Sequence, residues 1–198
     1  MNHLATSKED ILAASRDLIK ENGWAAVSIR AVASRCSVSA GTIYNYYESK
    51  ADLLSDTIES IWHEIFFHPE DEQIFHDVES CISWIYERLE YGNRQFPGFF
   101  SLHSFGFMRD EKTSGKKRMM KTWGHILNGL CEVLENDSKV RADVFDQEFT
   151  EKKFADILFS LILVSMIRQD YDPSSVLMLV KKTLYVTVQS QAKFQKQV

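Results

Sequence analysis

Residues 38–50 read Val-Ser-Ala-Gly-Thr-Ile-Tyr-Asn-Tyr-Tyr-Glu-Ser-Lys and place three tyrosines on one short predicted helix. Ser39 is a suitable N-cap for a helix over Ala40 to Tyr47, because a serine hydroxyl accepts hydrogen bonds from the free N–H groups of a first turn. At 100° per residue, Ile43 and Tyr47 point in nearly the same direction, and we expect this face to be buried. The other two tyrosines therefore face something other than the protein's own core.

Two further helices are predicted before this one. A first helix is expected to begin at a capping box formed by Thr6 and Glu9. Ser28 is the expected N-cap of a second helix, which runs from Ile29 to about Cys36. The turn that follows contains Ser37, which is expected to adopt a positive φ at a cost of about 1 kcal/mol. Two short helices joined by such a turn form a helix-turn-helix.

The outward face of the third helix suits the major groove of DNA. Threonine and tyrosine hydroxyls bond phosphate oxygens, asparagine can address an adenine edge, and Gly41 lets the backbone come near. Lys50 begins a fourth helix, where its ammonium and the free N–H groups would hold a phosphate together. The predicted DNA contacts are Ser28, Arg30, Ser39, Ala40, Gly41, Thr42, Tyr44, Asn45, Tyr46 and Lys50.

Residues 7 to about 64 resemble the DNA-binding domain of the TetR family of bacterial transcriptional regulators. The matching positions are Ile11 and Ala14, Gly23-Trp24, the segment Ser28 to Ala33, the run Val38 to Tyr47, Ser49-Lys50 and Asp52 to Leu54. The resemblance implies a homodimer in which the third helix reads DNA, while the C-terminal helices bind a small molecule and dimerise. The expected domains are a helix-turn-helix DNA-binding domain at 5–65 and a ligand-binding and dimerisation domain at 66–198.

The composition of the whole chain predicts an all-α protein with about nine helices. Only three prolines and eight glycines occur among 198 residues, and apolar residues recur at helical spacing. The net charge of −5 means that a nucleic acid would have to be met by a local surface. Three widely separated cysteines are typical of free thiols in a reducing cytoplasm. The longest apolar run, 157–167, has eleven residues where a bilayer span needs about 20, so we expect a cytoplasmic protein without a membrane partner.

Large aromatic side chains are frequent between residues 72 and 135, and glycines interrupt them. A space lined by aromatics with few polar groups suits an apolar or aromatic small molecule. The predicted lining consists of Trp84, Tyr91, Phe99, Phe100, His103, Phe107 and Trp123, of which Tyr91 and His103 supply the polar contacts. The alternative is that these side chains simply fill one another's space.

A predicted helix at 152–169 is apolar nearly all the way round, so every side of it must be covered. The last predicted helix, 173–194, offers a similar surface. We expect the two to pair with their copies in a two-fold four-helix interface. The residues predicted to form it are Leu158, Leu161, Ile162, Val176, Val180 and Leu184.

The sequence thus predicts a ligand-responsive repressor that binds a palindromic operator on double-stranded DNA as a homodimer. Two alternatives remain. A helical protein–protein adaptor that has lost DNA binding is favoured by the weak local positive charge, and an enzyme of unrecognised type would need convergent titratable groups. No enzyme is expected, because the sequence offers no such groups at motif spacing, and no cofactor is expected either. No metal site is expected at His63 and His68, which are five positions apart where a zinc motif needs four.

Overall fold

A computed structural model describes residues 6–66, 75–100 and 114–186, with the side chains of 114–122 left out. Every regular element in these ranges is helical, which confirms the all-α prediction. The eight α-helices described are α1 (Lys8–Asn22), α2 (Ile29–Arg35), α3 (Ala40–Tyr44), α4 (Lys50–Phe66), α5 (Val78–Gln95), α6 (Ser114–Asn136), α7 (Glu151–Arg168) and α8 (Ser174–Val180). A single π-helical turn, Lys181–Tyr185, continues α8. None of the described helices combines the length and the apolar character needed to cross a membrane.

Serine caps set the starts of the two helices of the helix-turn-helix. The hydroxyl oxygen of Ser28 accepts a hydrogen bond from the N–H of Ala31, and that of Ser39 accepts one from the N–H of Thr42, both at 3.1 Å. Ser37, in the turn between them, has φ 56°, as predicted. The turn is thus built at the cost of one non-glycine residue in the left-handed region.

The first helix begins one residue later than the sequence predicted. Its capping box is formed by Ser7 and Asp10, not by Thr6 and Glu9. The hydrogen bond from the Ser7 hydroxyl holds the pKa of Asp10 below its usual value. Thr6 consequently lies outside the helix, and its side chain is buried.

The chain divides into two compact units. The first contains Met1–Asp71 and Tyr91–Met119, and the second contains Glu72–Glu90 and Met120–Val198. Residues 91–100 therefore belong to the same unit as the helix-turn-helix. The predicted division of the chain at residue 65 stays a prediction.

The first unit is held together by an aromatic cluster of Trp24, Trp62, Phe96, Phe99 and Phe100. Phe99 stacks on Trp24 with 5.7 Å between ring centroids and meets Trp62 edge-on at 5.3 Å. Phe100 also meets Trp62 edge-on, at 5.6 Å. Phe96, Phe99 and Phe100 are almost completely buried. The cluster joins the residues that follow α5 to α4 and to the segment after α1.

The close approach of α5 to α4 in the same unit requires a glycine. A Cβ atom added to Gly92 would lie 2.6 Å from Cδ1 of Ile65 and 3.0 Å from Cζ of Phe100. Such distances are far inside van der Waals contact, so the last turn of α5 packs directly on the side chain of Ile65.

A buried carboxylate organises one end of the second unit. Asp137 accepts hydrogen bonds from the N–H of Val78 at 3.0 Å and from the hydroxyl of Tyr185 at 2.5 Å. It therefore ties the start of α5 to the π-helical turn. Beside it, the Lys139 ammonium donates to Asp77 at 2.6 Å and lowers the pKa of Asp77 to about 2.

The core of the second unit contains most of the residues predicted for the dimer interface. The buried members are Leu158, Ile162, Val176, Val180 and Leu184, while Leu161 is half-buried. These five side chains fill the core of the single chain, and the dimer interface stays a prediction. A helix that is apolar nearly all the way round gives only a weak sign of which side faces inward.

Other apolar side chains of α7 and α8 are exposed in their place. They are Ile157, Val164 and Ile167 on α7, with Met178 and Leu179 on α8. The three on α7 follow a spacing of seven and three residues and so lie along one side of the helix. We refer to these five residues as the apolar stripe.

Candidate DNA-binding surface

The third helix is shorter than predicted, but it faces as predicted. It spans Ala40–Tyr44 instead of continuing to Tyr47, and the N–H groups of Tyr46 and Tyr47 still bond the carbonyl of Ile43 at 3.0 and 3.1 Å. Ile43 and Tyr47 are buried, which confirms the predicted inner face.

The opposite side of α3 presents polar groups to solvent. Gly41, Tyr44 and Asn45 are exposed, and 55% of the Tyr44 surface is accessible. Thr42 is half-buried, and its hydroxyl lies 3.0 Å from that of Ser39. This side therefore carries the hydroxyl and amide groups that bind phosphates and base edges. That they contact DNA remains a prediction.

Tyr46 lies on the flank of α3 and differs from Tyr44 in its hydrogen bonding. Its hydroxyl donates to the backbone carbonyl of Thr6 at 2.7 Å. The sequence predicted Tyr46 as a DNA contact, and it gave no sign of this bond across forty positions.

Six lysines and arginines occur in residues 6–66, and the structure separates them into two groups. Four are in ion pairs: Lys8 with Asp56, Arg16 with Glu9 and Glu64, Lys20 with Glu64, and Arg35 with Glu21 and Asp17. Arg30 and Lys50, by contrast, are exposed and form no ion pair with any residue described. They lie near the start of α2 and at the start of α4, the helices on either side of α3 in the chain.

The ion pair between Arg35 and Glu21 is bidentate. Both terminal nitrogens of the Arg35 guanidinium bond the Glu21 carboxylate, at 2.7 and 2.5 Å. This hydrogen bonding raises the pKa of Arg35 and lowers that of Glu21. A guanidinium held in this way is a poor phosphate ligand. A count of positive charges along the sequence alone would include Arg35 among the cations available to DNA.

The residues predicted for the ligand site are placed in both units. Phe99 and Phe100 belong to the aromatic cluster, and Tyr91 lies outside the cluster as defined but in the same first unit. Trp84 lies against Phe75, with ring centroids 5.3 Å apart, in the second unit. Their packing gives Phe99 and Phe100 a structural role whether or not a ligand binds.

Trp123, also in the second unit, meets Phe159 edge-on at 5.9 Å. Its indole N–H is buried and has no hydrogen-bond acceptor among the described residues. His103 and Phe107 lie outside those residues. The ligand site as a whole therefore remains a prediction.

Sequence reasoning missed the apolar stripe, although one signal was present. Lys153 and Ser160 lie on the same side of α7 as Ile157 and Val164, at spacings of three and four residues. Polar residues on that side mark it as the outer one.

No group of His, Cys, Asp and Glu side chains within the described residues could hold a metal ion.

Comparison with known proteins connects this surface to one family. Residues 11–57 match the family model described as bacterial regulatory proteins, tetR family. Over 48 residues the chain is 38% identical to the HTH-type transcriptional regulator UidR of Escherichia coli K12, a match that covers 24% of each protein. The chain thus spans about a quarter of the length of the curated relatives it matches.

Solved structures are similar over most of the chain. A TetR transcription regulator from Haloarcula marismortui aligns with a TM-score of 0.67 at 18% identity, covering 89% of this chain and 95% of that one. The transcriptional regulator FadR from Bacillus subtilis, solved in complex with stearoyl-CoA, aligns with a TM-score of 0.56 at 15% identity, covering 89% and 94%. The helix-turn-helix at residues 11–57 therefore matches the tetR family of bacterial regulatory proteins, and the chain is similar in fold to solved regulators of that kind.

Proposed function

We propose that this protein is a transcriptional repressor that binds a palindromic operator on double-stranded DNA as a homodimer. The observation that carries the proposal is the outward side of α3, which presents neutral hydrogen-bonding groups. In the chain, α3 lies between α2 and α4, and near the starts of these helices Arg30 and Lys50 form no ion pair with any described residue. Arg30 and Lys50 are exposed and have no ion-pair partner in the described part of the chain, so they can meet phosphates. The four other cations of residues 6–66 are in ion pairs within the protein. Binding then rests on few charges and many neutral contacts.

Each side chain of this surface has a distinct part in the proposal. Tyr44 donates its hydroxyl proton to a phosphate oxygen, and Asn45 addresses a base edge in the major groove. Lys50 holds a second phosphate at the start of α4, where the helix N-terminus adds its own positive potential. Gly41 allows the backbone of α3 to approach the DNA.

The dimer in this proposal forms through the apolar stripe instead of the buried residues predicted from sequence. Exposed apolar side chains of this kind, on two helices that follow one another in the chain, are costly to leave in water. A two-fold axis would bring the stripe of one protomer onto the same stripe of its partner. Two copies of α3 would then face successive major grooves, which are about 34–36 Å apart.

Release from DNA in this proposal is driven by an apolar or aromatic small molecule. A ligand that binds better to one separation of the two α3 helices shifts the dimer away from the separation that fits DNA. The stearoyl-CoA complex of FadR supports an apolar effector, since it shows that a protein of this fold can hold a long acyl chain.

The test is a selection of bound sequences from a random DNA pool, followed by a gel shift with the DNA upstream of the protein's own gene. The proposal expects a palindromic sequence with half-sites about one helical turn apart. An adaptor protein that has lost DNA binding would select no sequence and shift no fragment.

The small number of unpaired cations predicts a shallow salt dependence. Two cations in each of two protomers give a slope of about −4 for log K against log salt concentration, at about −0.9 per phosphate neutralised. The slope is measured by fluorescence anisotropy with the selected DNA between 50 and 200 mM salt. A slope of about −8 or steeper would mean that the paired cations also reach phosphates.

Replacing Lys50 with glutamine should weaken DNA binding and make that slope shallower by about 2, because one phosphate contact is lost from each protomer. Lys20→Gln is the matched control. Lys20 is paired with Glu64 at 2.6 Å, so its loss should leave the slope unchanged. Equal slopes for wild type and Lys50→Gln would contradict a phosphate contact at Lys50.

A further inference from the structure

The hydroxyl of Tyr46 is already engaged within the protein. It donates a hydrogen bond to the carbonyl of Thr6 at 2.7 Å. A phenol has one proton to donate, and the oxygens of a phosphate diester only accept. While the bond to Thr6 is made, Tyr46 has no proton for a phosphate, although more than two-fifths of its surface is exposed.

The acceptor of this bond is firmly held. Thr6 is buried and directly precedes Ser7, the N-cap of α1. Lys8, one residue further on, forms an ion pair with Asp56 of α4 at 2.6 Å. Its ammonium also lies 5.7 Å from the ring centroid of Tyr47. The start of α1 is thus attached both to α4 and to the residues at the end of α3.

A helix as short as α3 needs an attachment of this kind. Its five residues make less than two turns, and Ile43 and Tyr47 anchor it along one face only. A small rotation about its axis would change the direction of Tyr44 and Asn45 on the other face. Groups that recognise a ligand must be held to within about 10–20°. A hydrogen bond from the flank to a fixed backbone atom opposes such a rotation.

We propose that Tyr46 is a positioning residue for DNA recognition. By bonding the carbonyl of Thr6, it holds α3 at the angle from which Tyr44 and Asn45 meet the DNA, and it makes no phosphate contact of its own. This role replaces the direct contact predicted from the sequence. It rests on the proposed function, since it concerns how specifically the protein binds DNA.

The test is Tyr46→Phe in the full-length protein, which removes only the hydroxyl. Affinity for the selected sequence should fall roughly 5- to 150-fold in the dimer, the range for one hydrogen bond lost from each protomer. Affinity for an unrelated duplex of the same length should stay the same, because it depends on phosphate contacts. A purely structural role would lower the melting temperature and leave the ratio of the two affinities unchanged, which would overturn the inference.

A second selection from random DNA distinguishes positioning from direct base reading. Tyr46→Phe should weaken the preference at all the base pairs that α3 reads, whereas loss of a direct contact relaxes one base pair in each half-site. Tyr44→Phe is the matched control. Its hydroxyl has no partner among the described residues, so its removal should weaken both kinds of DNA alike. Relaxation at a single base pair with Tyr46→Phe would show that Tyr46 reads a base.

Hydrogen exchange without DNA tests the attachment separately from the function. The N–H groups of Tyr46 and Tyr47, which bond the carbonyl of Ile43, should exchange faster in Tyr46→Phe. Unchanged exchange would overturn the inference. A wild-type protein that selects no DNA would overturn the proposed function, and the exchange rates would still decide whether Tyr46 holds α3.

Discussion

Val164→Asp is expected to convert the proposed dimer into monomers and to lower the affinity of the protein for the selected DNA by roughly 100-fold or more. Val164 lies within the apolar stripe and is exposed in the single chain. In the proposed dimer, two introduced carboxylates would be buried near a two-fold axis with no cation to pair with them, at a cost of several kcal/mol each. A monomer binds one half-site and loses the gain of two to four orders of magnitude that linked binding brings.

Light scattering and fluorescence anisotropy measure the two effects. The matched control is Ala142→Asp, which adds the same side chain at an exposed position outside the stripe and its two helices. This control should remain dimeric and bind DNA as the wild type does. A dimeric Val164→Asp with normal affinity would show that the partner binds elsewhere.

Phe99→Ala should lower the free energy of unfolding by about 3–5 kcal/mol, the range typical of a buried phenylalanine cut to alanine. Phe99 lies at the centre of the aromatic cluster, with Trp24 stacked on one side and Trp62 edge-on at another. Its removal leaves a cavity that the neighbouring rings can fill only in part. Because these neighbours are tryptophans, the variant should also change the intrinsic fluorescence of the folded state.

Urea denaturation followed by circular dichroism gives the stability of each variant, compared at one protein concentration because a dimer's stability depends on it. Tyr44→Ala is the control, since an exposed ring contributes within about 0.5 kcal/mol. A loss below about 1 kcal/mol for Phe99→Ala would mean that the cluster is loosely packed and has room for a ligand.

The parts of the fold that were predictable from sequence depend on local geometry. The inner face of α3 followed from the angle between Ile43 and Tyr47, and the caps of Ser28 and Ser39 from hydroxyls placed just before helical runs. The positive φ of Ser37 followed from the tight turn. Each of these depends on residues only a few positions apart, where the backbone alone fixes their relation.

The features that escaped prediction depend on distant partners. The bond from Tyr46 to Thr6 spans forty positions, and Phe99 meets a tryptophan from the start of the chain. The inward side of α7 is set by packing in the second unit, because apolar residues nearly surround the helix and few polar residues, among them Lys153 and Ser160, mark its outer side. Ser7 caps α1 where the sequence predicted Thr6, because the core buries the side chain of Thr6.

The scarcity of unpaired cations on the proposed surface also bears on how such a protein would find its target. Attraction to phosphates is what lets a regulator linger on unrelated DNA and slide along it. Among the cations of residues 6–66, Arg30 and Lys50 alone form no ion pair with a described residue. If these two supply the attraction in each protomer, residence on unrelated DNA would be brief, and electrostatic steering would speed the encounter little. The search would then proceed mainly by diffusion through solution. The time needed to reoccupy an operator would be set by the number of molecules in the cell, with little help from the DNA around the site.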